Sequence, residues 1–244
     1  MFSPAFLGAA VSNGFSLSEV FATTLYTGNG ATRDIVSGLD FVGNEGLVWI
    51  KSRTSTNSHN LVDTIRGPIL NLNSSSSTAE VSNSRVLSLN ADGFSLTSNA
   101  NVNGSGNNYA AWQFIKKAGF FDIVQYTGDS VAGRTVALDL DDGTAVFGMS
   151  IVKRTDLGGI WMVQHKDIAA TNYMALSSTA ASAAASTIWN NTAATGSALT
   201  LGTNGNVNVS GGTYISYNFA HNPTKGIFCG SYTGTGSNNA ITTG

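Results

Sequence analysis

The sequence predicts an all-β protein made of two tandem antiparallel β-sandwich domains, of jelly-roll or lectin-like type, that arose by internal duplication. Residues 94–114, FSLTSNANVNGSGNNYAAWQF, recur 105 positions later as residues 199–219, and nine of the 21 aligned positions are identical. In each copy, alternating apolar residues flank a loop rich in Asn and Gly, a pattern typical of a strand, a loop and a second strand. Each copy is expected to contain a β-hairpin or a longer β-arch, and such repetition indicates a duplicated unit.

Further apolar runs predict the remaining strands and the domain limits. We predict a first domain over residues 23–121 and a second over residues 122–229. Residues 180–185 are rich in Ala, which favours helix, but they align with a Ser/Thr-rich loop at 73–78, so no helix is expected there. The predicted strands cover 25–27, 46–51, 60–65, 69–72 and 86–89 in the first domain, and 125–127, 150–154, 160–163 and 173–176 in the second.

Both ends of the chain lie outside the two complete copies. Residues 1–22 are predicted to form an N-terminal arm that packs on its own domain or docks on a neighbouring subunit. Ser16 and Glu19 have the spacing of a capping box, which predicts a short helix over 17–23. Residues 230–244 contain a third copy of the opening motif, Ser-Tyr-Thr-Gly at 231–234. We therefore predict a C-terminal strand or tail over 230–244; a strand would close the sheet of the second domain, the preferred alternative, or add to a neighbouring subunit.

The composition argues against several classes of protein. Charged residues make up 11% of the chain, against about a quarter in typical globular proteins. The net charge of −2 lacks the basic signature of nucleic-acid binding. No apolar run approaches the roughly 20 residues of a membrane-spanning helix, so membrane insertion is not expected. Cys229 is the single cysteine, which excludes a disulfide within the chain.

The chain offers little of the chemistry that enzymes need, and we predict no enzymatic activity, no catalytic residues and no cofactor. Glycoside hydrolysis requires two carboxylates about 5 to 9 Å apart, whereas the three glutamates, Glu19, Glu45 and Glu80, have no counterparts in the other copy. The three histidines lack the spacing of a zinc site, and no serine lies in a G-x-S-x-G motif.

One acidic cluster, formed by Asp139, Asp141 and Asp142, is the weak candidate for a metal site. Carboxylates in a turn with a glycine can coordinate calcium, which takes six to eight oxygen ligands. The spacing does not match an EF-hand loop. A solvated turn between two strands is therefore the favoured interpretation.

The candidate ligand-binding residues are Trp189, Asn190 and Asn191. A tryptophan beside amide groups in a loop can stack on a sugar ring while the amides supply hydrogen bonds. The alternative is a tryptophan that anchors the loop by packing inward. The other tryptophans, Trp49, Trp112 and Trp161, lie in strand patterns and are expected in the cores or between the two domains.

Several motifs resemble, in their order along the chain, a repeated module of bacteriophage virion proteins, including tail-fibre, receptor-binding and other structural proteins. Coverage runs from about residue 24 to the end. The motifs lie at 26–30, 47–53, 61–67, 92–96 and 101–106 in the first copy and at 126–128, 151–154, 165–166, 171–173 and 188–192 in the second.

The resemblance implies a non-enzymatic virion structural protein, either a tail or fibre component or a capsid-bound decoration or appendage. Such a protein would be synthesised in the host cytoplasm and would pack against other virion proteins as a homo-oligomer, with a trimer as the first expectation. The alternative function is a carbohydrate-binding, receptor-recognition module for host surface glycans.

Overall fold

The computed structural model describes residues 14–243 and shows an all-β protein. Within these residues the strands form four antiparallel sheets. The α-helices described here have four residues each, and none is long and apolar enough to cross a membrane. The first 13 residues of the predicted arm lie outside the described part of the chain, as does residue 244.

The first half of the chain forms a six-stranded and a three-stranded sheet. The elements are α1 (Leu17–Val20), β1 (Phe21–Thr27), β2 (Arg33–Val36), β3 (Gly46–Ser52), β4 (Asn60–Asp63), β5 (Gly67–Leu72), β6 (Val81–Ser82), β7 (Val86–Asn90), β8 (Gly93–Leu96), α2 (Ala100–Asn103) and β9 (Asn108–Ile115). The large sheet has the strand order β1-β9-β3-β4-β5-β6, and the small sheet has the order β2-β8-β7.

The second half forms another six-stranded sheet and a two-stranded sheet. The elements are β10 (Phe121–Thr127), β11 (Arg134–Ala137), β12 (Val146–Arg154), β13 (Met162–His165), β14 (Asn172–Ala175), β15 (Ala183–Ala184), α3 (Ser186–Trp189), β16 (Ala198–Leu201), β17 (Thr213–His221) and a 3₁₀ turn (Pro223–Lys225). The large sheet has the order β10-β17-β12-β13-β14-β15, and the small sheet pairs β11 with β16.

The two large sheets share their strand order and their register. Tyr26 pairs with Tyr109 in the first sheet, as Tyr126 pairs with Tyr214 in the second. The rings of each pair stack with centroids 5.1 Å apart. The sequence offsets of 100 and 105 residues are therefore kept in the pairing of the strands.

The repeated tyrosines close the loop that precedes the last long strand of each half. Tyr26 donates to the Val102 carbonyl at 2.7 Å, and Tyr109 donates to the Ala100 carbonyl at 2.7 Å. The second half repeats both bonds, from Tyr126 to Val207 and from Tyr214 to Gly205, at 2.8 Å each. Buried carbonyls require such partners, since an unmet buried polar group costs about 1–3 kcal/mol.

A repeated asparagine holds the same loop against the loop after the first strand. The Asn103 amide nitrogen donates to the Ala31 and Thr97 carbonyls at 2.6 and 3.0 Å. The Asn208 amide nitrogen donates to the Val131 and Gly202 carbonyls at 3.1 and 2.9 Å. Both asparagines are fully buried. The Tyr and Asn identities shared by the two copies thus serve the closure of this loop.

The two halves share a core and are also joined by buried hydrogen bonds. The Phe114 ring packs on Phe121 and Phe219, with centroids 5.5 and 5.4 Å apart. Arg66 forms an ion pair with Asp63 at 2.6 Å and donates to the Tyr217 hydroxyl at 3.1 Å. Tyr217 in turn donates to Asp63 at 2.8 Å. A buried cation, a buried carboxylate and a phenol therefore satisfy one another across the two halves.

A loop of the first half also covers the large sheet of the second half. The Trp161 indole donates to the Asn73 and Ser76 carbonyls at 3.0 and 2.9 Å. The Thr155 carbonyl accepts a bond from the Glu80 backbone at 2.9 Å. Trp161 is fully buried by this contact.

The structure refines several predictions. The repeated stretch forms a β-arch and not a hairpin, because β8 and β9 belong to different sheets. The predicted helix over 17–23 is shorter, since β1 begins at Phe21, although the Ser16–Glu19 capping box is present. The expected lack of a helix at 180–185 is confirmed. The predicted domain limits at 22/23 and 121/122 fall inside β1 and β10.

The residues described beyond 229 do not form the strand that would close the sheet of the second domain, whereas a strand added to a neighbouring subunit stays a prediction. Residues 230–243 contain no strand, and the side chain of Tyr232 is 71% exposed. An isolated bridge between Asn222 and Ile227 repeats the bridge between Lys117 and Phe121, which leads into β10. The third motif begins like the second but has no partner strand within this part of the chain.

Candidate functional site

A row of polar residues crosses the large sheet of the second half on its inner face. Asp122, Asn218, Ser150 and Gln164 are successive pairing partners on β10, β17, β12 and β13. Each is at most 4% exposed. The equivalent row in the first half is mostly apolar, with Ala22, Gln113, Val48 and Val62.

Most polar atoms of this row bond to one another or to nearby groups. Ser150 donates to the Asn218 amide oxygen at 2.6 Å. Asp122 accepts a bond from the Asp139 backbone at 3.0 Å and forms an ion pair with Lys116 at 3.3 Å. Since the Ser150 hydroxyl bonds an amide and not a base, these contacts do not activate it as a nucleophile.

Gln164, at the end of the row, has an unpaired acceptor. Its amide nitrogen donates to the Thr192 carbonyl at 2.9 Å, whereas its amide oxygen has no hydrogen-bond partner in the described structure. Exchanging the two amide atoms would place an oxygen against the Thr192 carbonyl, which gives this orientation a clear physical reason. A buried acceptor without a partner is costly and needs an explanation.

Gln164 lines a cleft of about 500 Å³ at one end of the second half. The cleft lies between the start of β12, the end of β13 and the loop at 193–196. Its volume is within the range of about 300–1,000 Å³ that is typical of small-molecule sites. The apolar part of its wall includes Ala145, Val146, Phe147, Ile168, Ala193 and Ala194, and the polar part includes Asp141, Gln164, His165 and Lys166.

The second half lacks a counterpart of β7, and the loop found in its place lines the cleft. Residues 191–195 align with β7 by the offset of 105, but they form a loop and not a strand. Leu89, which packs on the core of the first half, corresponds to Ala194. The small sheet therefore has two strands in place of three, and Ala194 lines the cleft together with Gln164.

The charged groups at the cleft already have partners. Lys166 forms an ion pair with Asp167 at 2.7 Å, and Asp141 accepts a bond from the Gly143 backbone at 2.9 Å. Burial lowers the pKa of His165. Its Nδ1 accepts a bond from the Asp167 backbone at 3.2 Å, so the neutral ring carries its proton on Nε2.

A second cavity, of about 530 Å³, lies at the junction of the halves beside Asp122. Lys116 bridges Asp122 and Glu45 there, at 3.3 and 3.0 Å. Partial burial acts to lower the pKa of Lys116, but the two carboxylates outweigh it and raise the pKa. The lysine thus neutralises the buried Asp122 carboxylate at the other end of the polar row.

The structure places the predicted ligand residues beside the cleft but not in its wall. The Trp189 ring is fully buried in the core of the second half, so a ligand cannot stack on it while this packing is kept. Asn190 and Asn191 have φ values of 50° and 54°. These left-handed residues end α3 and turn the chain into the loop that borders the cleft.

In the predicted acidic cluster, the Asp142 carboxylate accepts hydrogen bonds from the backbone of its own turn. Asp142 accepts bonds from the Thr144 and Ala145 backbones at 2.9 and 2.8 Å. Partial burial acts to raise the pKa of Asp142, but these hydrogen bonds outweigh it and lower the pKa to about 2. Among residues 14–243, no group of three or more His, Cys, Asp or Glu side chains is placed to hold a metal ion.

Sequence reasoning missed the polar row, although the sequence contained a signal for it. Ser150, Gln164 and Asn218 occupy strand positions that point inward by alternation. The first-half counterparts of Ser150 and Gln164 are Val48 and Val62, so a comparison of the two copies marks the change at these two positions, while Gln113 and Asn218 are both amides. The strand pairing was needed to show that these positions form one row.

The fold and the cleft define an all-β protein with two similar halves and, in the second half, a cleft with apolar and polar walls. The chain belongs to the family described as a domain of unknown function (DUF7483), whose model matches residues 16–244. No curated protein and no solved structure matches the chain.

Proposed function

We propose that this chain is a non-enzymatic structural protein of a bacteriophage virion, built as two tandem β-sandwich domains. The observation that carries the proposal is the use of the repeated residues. The tyrosines and asparagines shared by the two halves close loops and hold strands together. A repeat whose identities maintain the scaffold fits a packing role better than a catalytic one.

The layered arrangement of each half supports the two-sandwich organisation. In the second half, one core combines Tyr126, Val152 and Tyr214 of the large sheet with Val136 and Leu199 of the small sheet. Two sheets that bury their inner faces against each other form a sandwich. The apolar and ionic contacts between the halves would then hold the two sandwiches as one subunit.

The ordered motifs that resemble phage virion modules support the assignment to a virion. A low charge content suits a protein that packs against neighbours, because fewer charged groups must be removed from water. The subunit would form a homo-oligomer, with a trimer as the first expectation, and would contact other virion proteins in a tail, a fibre or a capsid decoration.

The test has two measurements. Light scattering gives the mass in solution of the full chain and of a variant without residues 1–13; deleting all of 1–22 would cut into β1. A stable oligomer, dependent on the arm or not, supports self-assembly, whereas a monomer in both forms contradicts it. Peptides of this chain in purified virus particles, detected by mass spectrometry, support the virion location, and their absence contradicts it.

A second candidate function is recognition of a host surface glycan. The observation that favours it is the cleft with the unpaired Gln164 oxygen. Trp189, Asn190 and Asn191 would then shape the loop beside the ligand and would not contact the ligand through the buried ring.

A further inference from the structure

We propose that the cleft beside Gln164 is a binding site for one neutral sugar ring. This inference deepens the second candidate function, on which it rests, and it is independent of the structural role and of assembly. It rests on a buried acceptor without a partner, on the apolar wall around that acceptor, and on the difference between the two halves of the chain.

The unpaired Gln164 oxygen sets the first requirement for the ligand. The side chain is 4% exposed and its nitrogen is held by the Thr192 carbonyl. Because Gln164 lines the cleft, a ligand bound there can supply the missing donor. A ligand hydroxyl meets this need, and a site built around such a bond rejects compounds that lack the donor.

The other walls set the second requirement. Phe147, Ile168 and Ala194 provide an apolar surface, which suits the C–H face of a sugar ring because its burial is favourable. The ion pair of Lys166 with Asp167 leaves no uncompensated cation there. The neutral His165 ring can donate from Nε2 to a second ligand oxygen. The ligand is therefore hydroxylated, uncharged and apolar on one face.

The comparison of the halves supplies the third argument. At the corresponding positions the first half has β7 with Leu89 in place of the loop with Ala194, and Val62 in place of Gln164. Both changes in the second half act in the same direction: one opens space, and the other places a hydrogen-bonding group at its wall. Gln113 of the first half also has a buried amide oxygen without a partner, but Gln113 lines neither of the two described cavities, whereas Gln164 lines the cleft.

The experiment is a titration of the isotope-labelled full chain with glucose, galactose, mannose and N-acetylglucosamine, followed by NMR, up to roughly 50 mM to reach millimolar dissociation constants. We expect at least one sugar to shift the signals of residues 164–168 and 193–196. Glycerol is the control ligand. No shift with any sugar, or equal binding of glycerol, would overturn the proposal.

Two variants locate the site. Gln164→Val copies the first half and removes the acceptor; loss of one hydrogen bond should weaken binding about fivefold to tenfold. Ala194→Leu restores the bulk of Leu89 and should abolish binding by filling the cleft. Gln113→Val, which removes a buried amide from the first half, is the matched control and should bind normally. Unchanged binding in both cleft variants would contradict the assignment.

Discussion

At the scale of single residues, one buried asparagine in each half replaces the backbone partners that its loop lacks. Asn103 and Asn208 bond backbone groups of two separate segments. We expect Asn103→Ala and Asn208→Ala each to lower the free energy of unfolding by about 2–3 kcal/mol, because the carbonyls left behind are buried without partners. Chemical denaturation measures this change. A loss below about 0.5 kcal/mol in both variants would contradict the claim that these asparagines stabilise the loop.

A buried lysine gives a prediction about pH. Lys153 is fully buried and donates to the Arg154 carbonyl at 2.7 Å. Burial lowers the pKa of Lys153 from 10.5 to about 8. The unfolded chain therefore binds more protons than the folded chain between about pH 8 and 10.5, and the contribution of Lys153 to stability rises with pH across this window.

The variant Lys153→Met isolates this effect. Below pH 8 the full cost of burying the charged amine is present, so the variant should be more stable than the parent by up to about 3 kcal/mol. The difference should shrink as the pH rises towards 10.5. Denaturation of both proteins from pH 7 to 10.5 measures this difference in stability. The tyrosines and Cys229 titrate in both proteins, so their contributions cancel when the two stabilities are subtracted. A constant difference would exclude an ionised Lys153 as its cause.

At the scale of structural elements, the turn after the first strand of each half requires a glycine. A methyl group on Gly28 would overlap the Gly104 carbonyl oxygen, and one on Gly128 would overlap the Val209 carbonyl oxygen. We expect Gly28→Ala and Gly128→Ala to cost about 1–3 kcal/mol each, because the loop must move away. Thermal unfolding measures the loss. Gly205→Ala is the matched control, since a methyl group there meets nothing within 4 Å.

The long strands could be predicted from the sequence, but several short ones could not. The β3 strand is a dense run of β-forming residues, and β9 is the second strand of the repeated stretch, so both positions were predicted closely. The β2 and β11 strands have four residues each with one buried residue apiece, Ile35 and Val136. Alternation cannot identify a strand with a single inward apolar side chain. Such strands form because a neighbouring strand offers backbone partners.

At the scale of the whole molecule, the buried Arg66–Asp63–Tyr217 cluster joins the halves. Removing one member leaves a buried charge without compensation, so we expect Arg66→Met to cost about 3–5 kcal/mol. The double variant Asp63→Leu/Arg66→Met removes both charges and should be more stable than Arg66→Met alone. Equilibrium unfolding of the single and double variants forms the cycle. A double variant that loses the sum of the two single effects would show that the pair is not coupled.

The candidate site depends on residues that are distant in sequence. Gln164 lies in β13, and Ala194 lies 30 positions later in the loop at 193–196. The sequence pointed to Trp189, Asn190 and Asn191, close to the right loop, because aromatic and amide residues indicate a possible ligand. It could not show that the Trp189 ring packs inward, since burial is decided by the sheet against which α3 lies.

The sequence by itself determined the all-β class, the repeat, the long strands and the polar loops, because alternation and Gly/Asn turns are local properties of the chain. Only the tertiary structure decided that the repeated stretch is an arch between two sheets, that the third motif forms no strand in the described residues, and that four polar residues align in one row. These features depend on strand partners far apart in sequence, and a hydrogen bond or a buried contact between such partners exists only after the chain has folded.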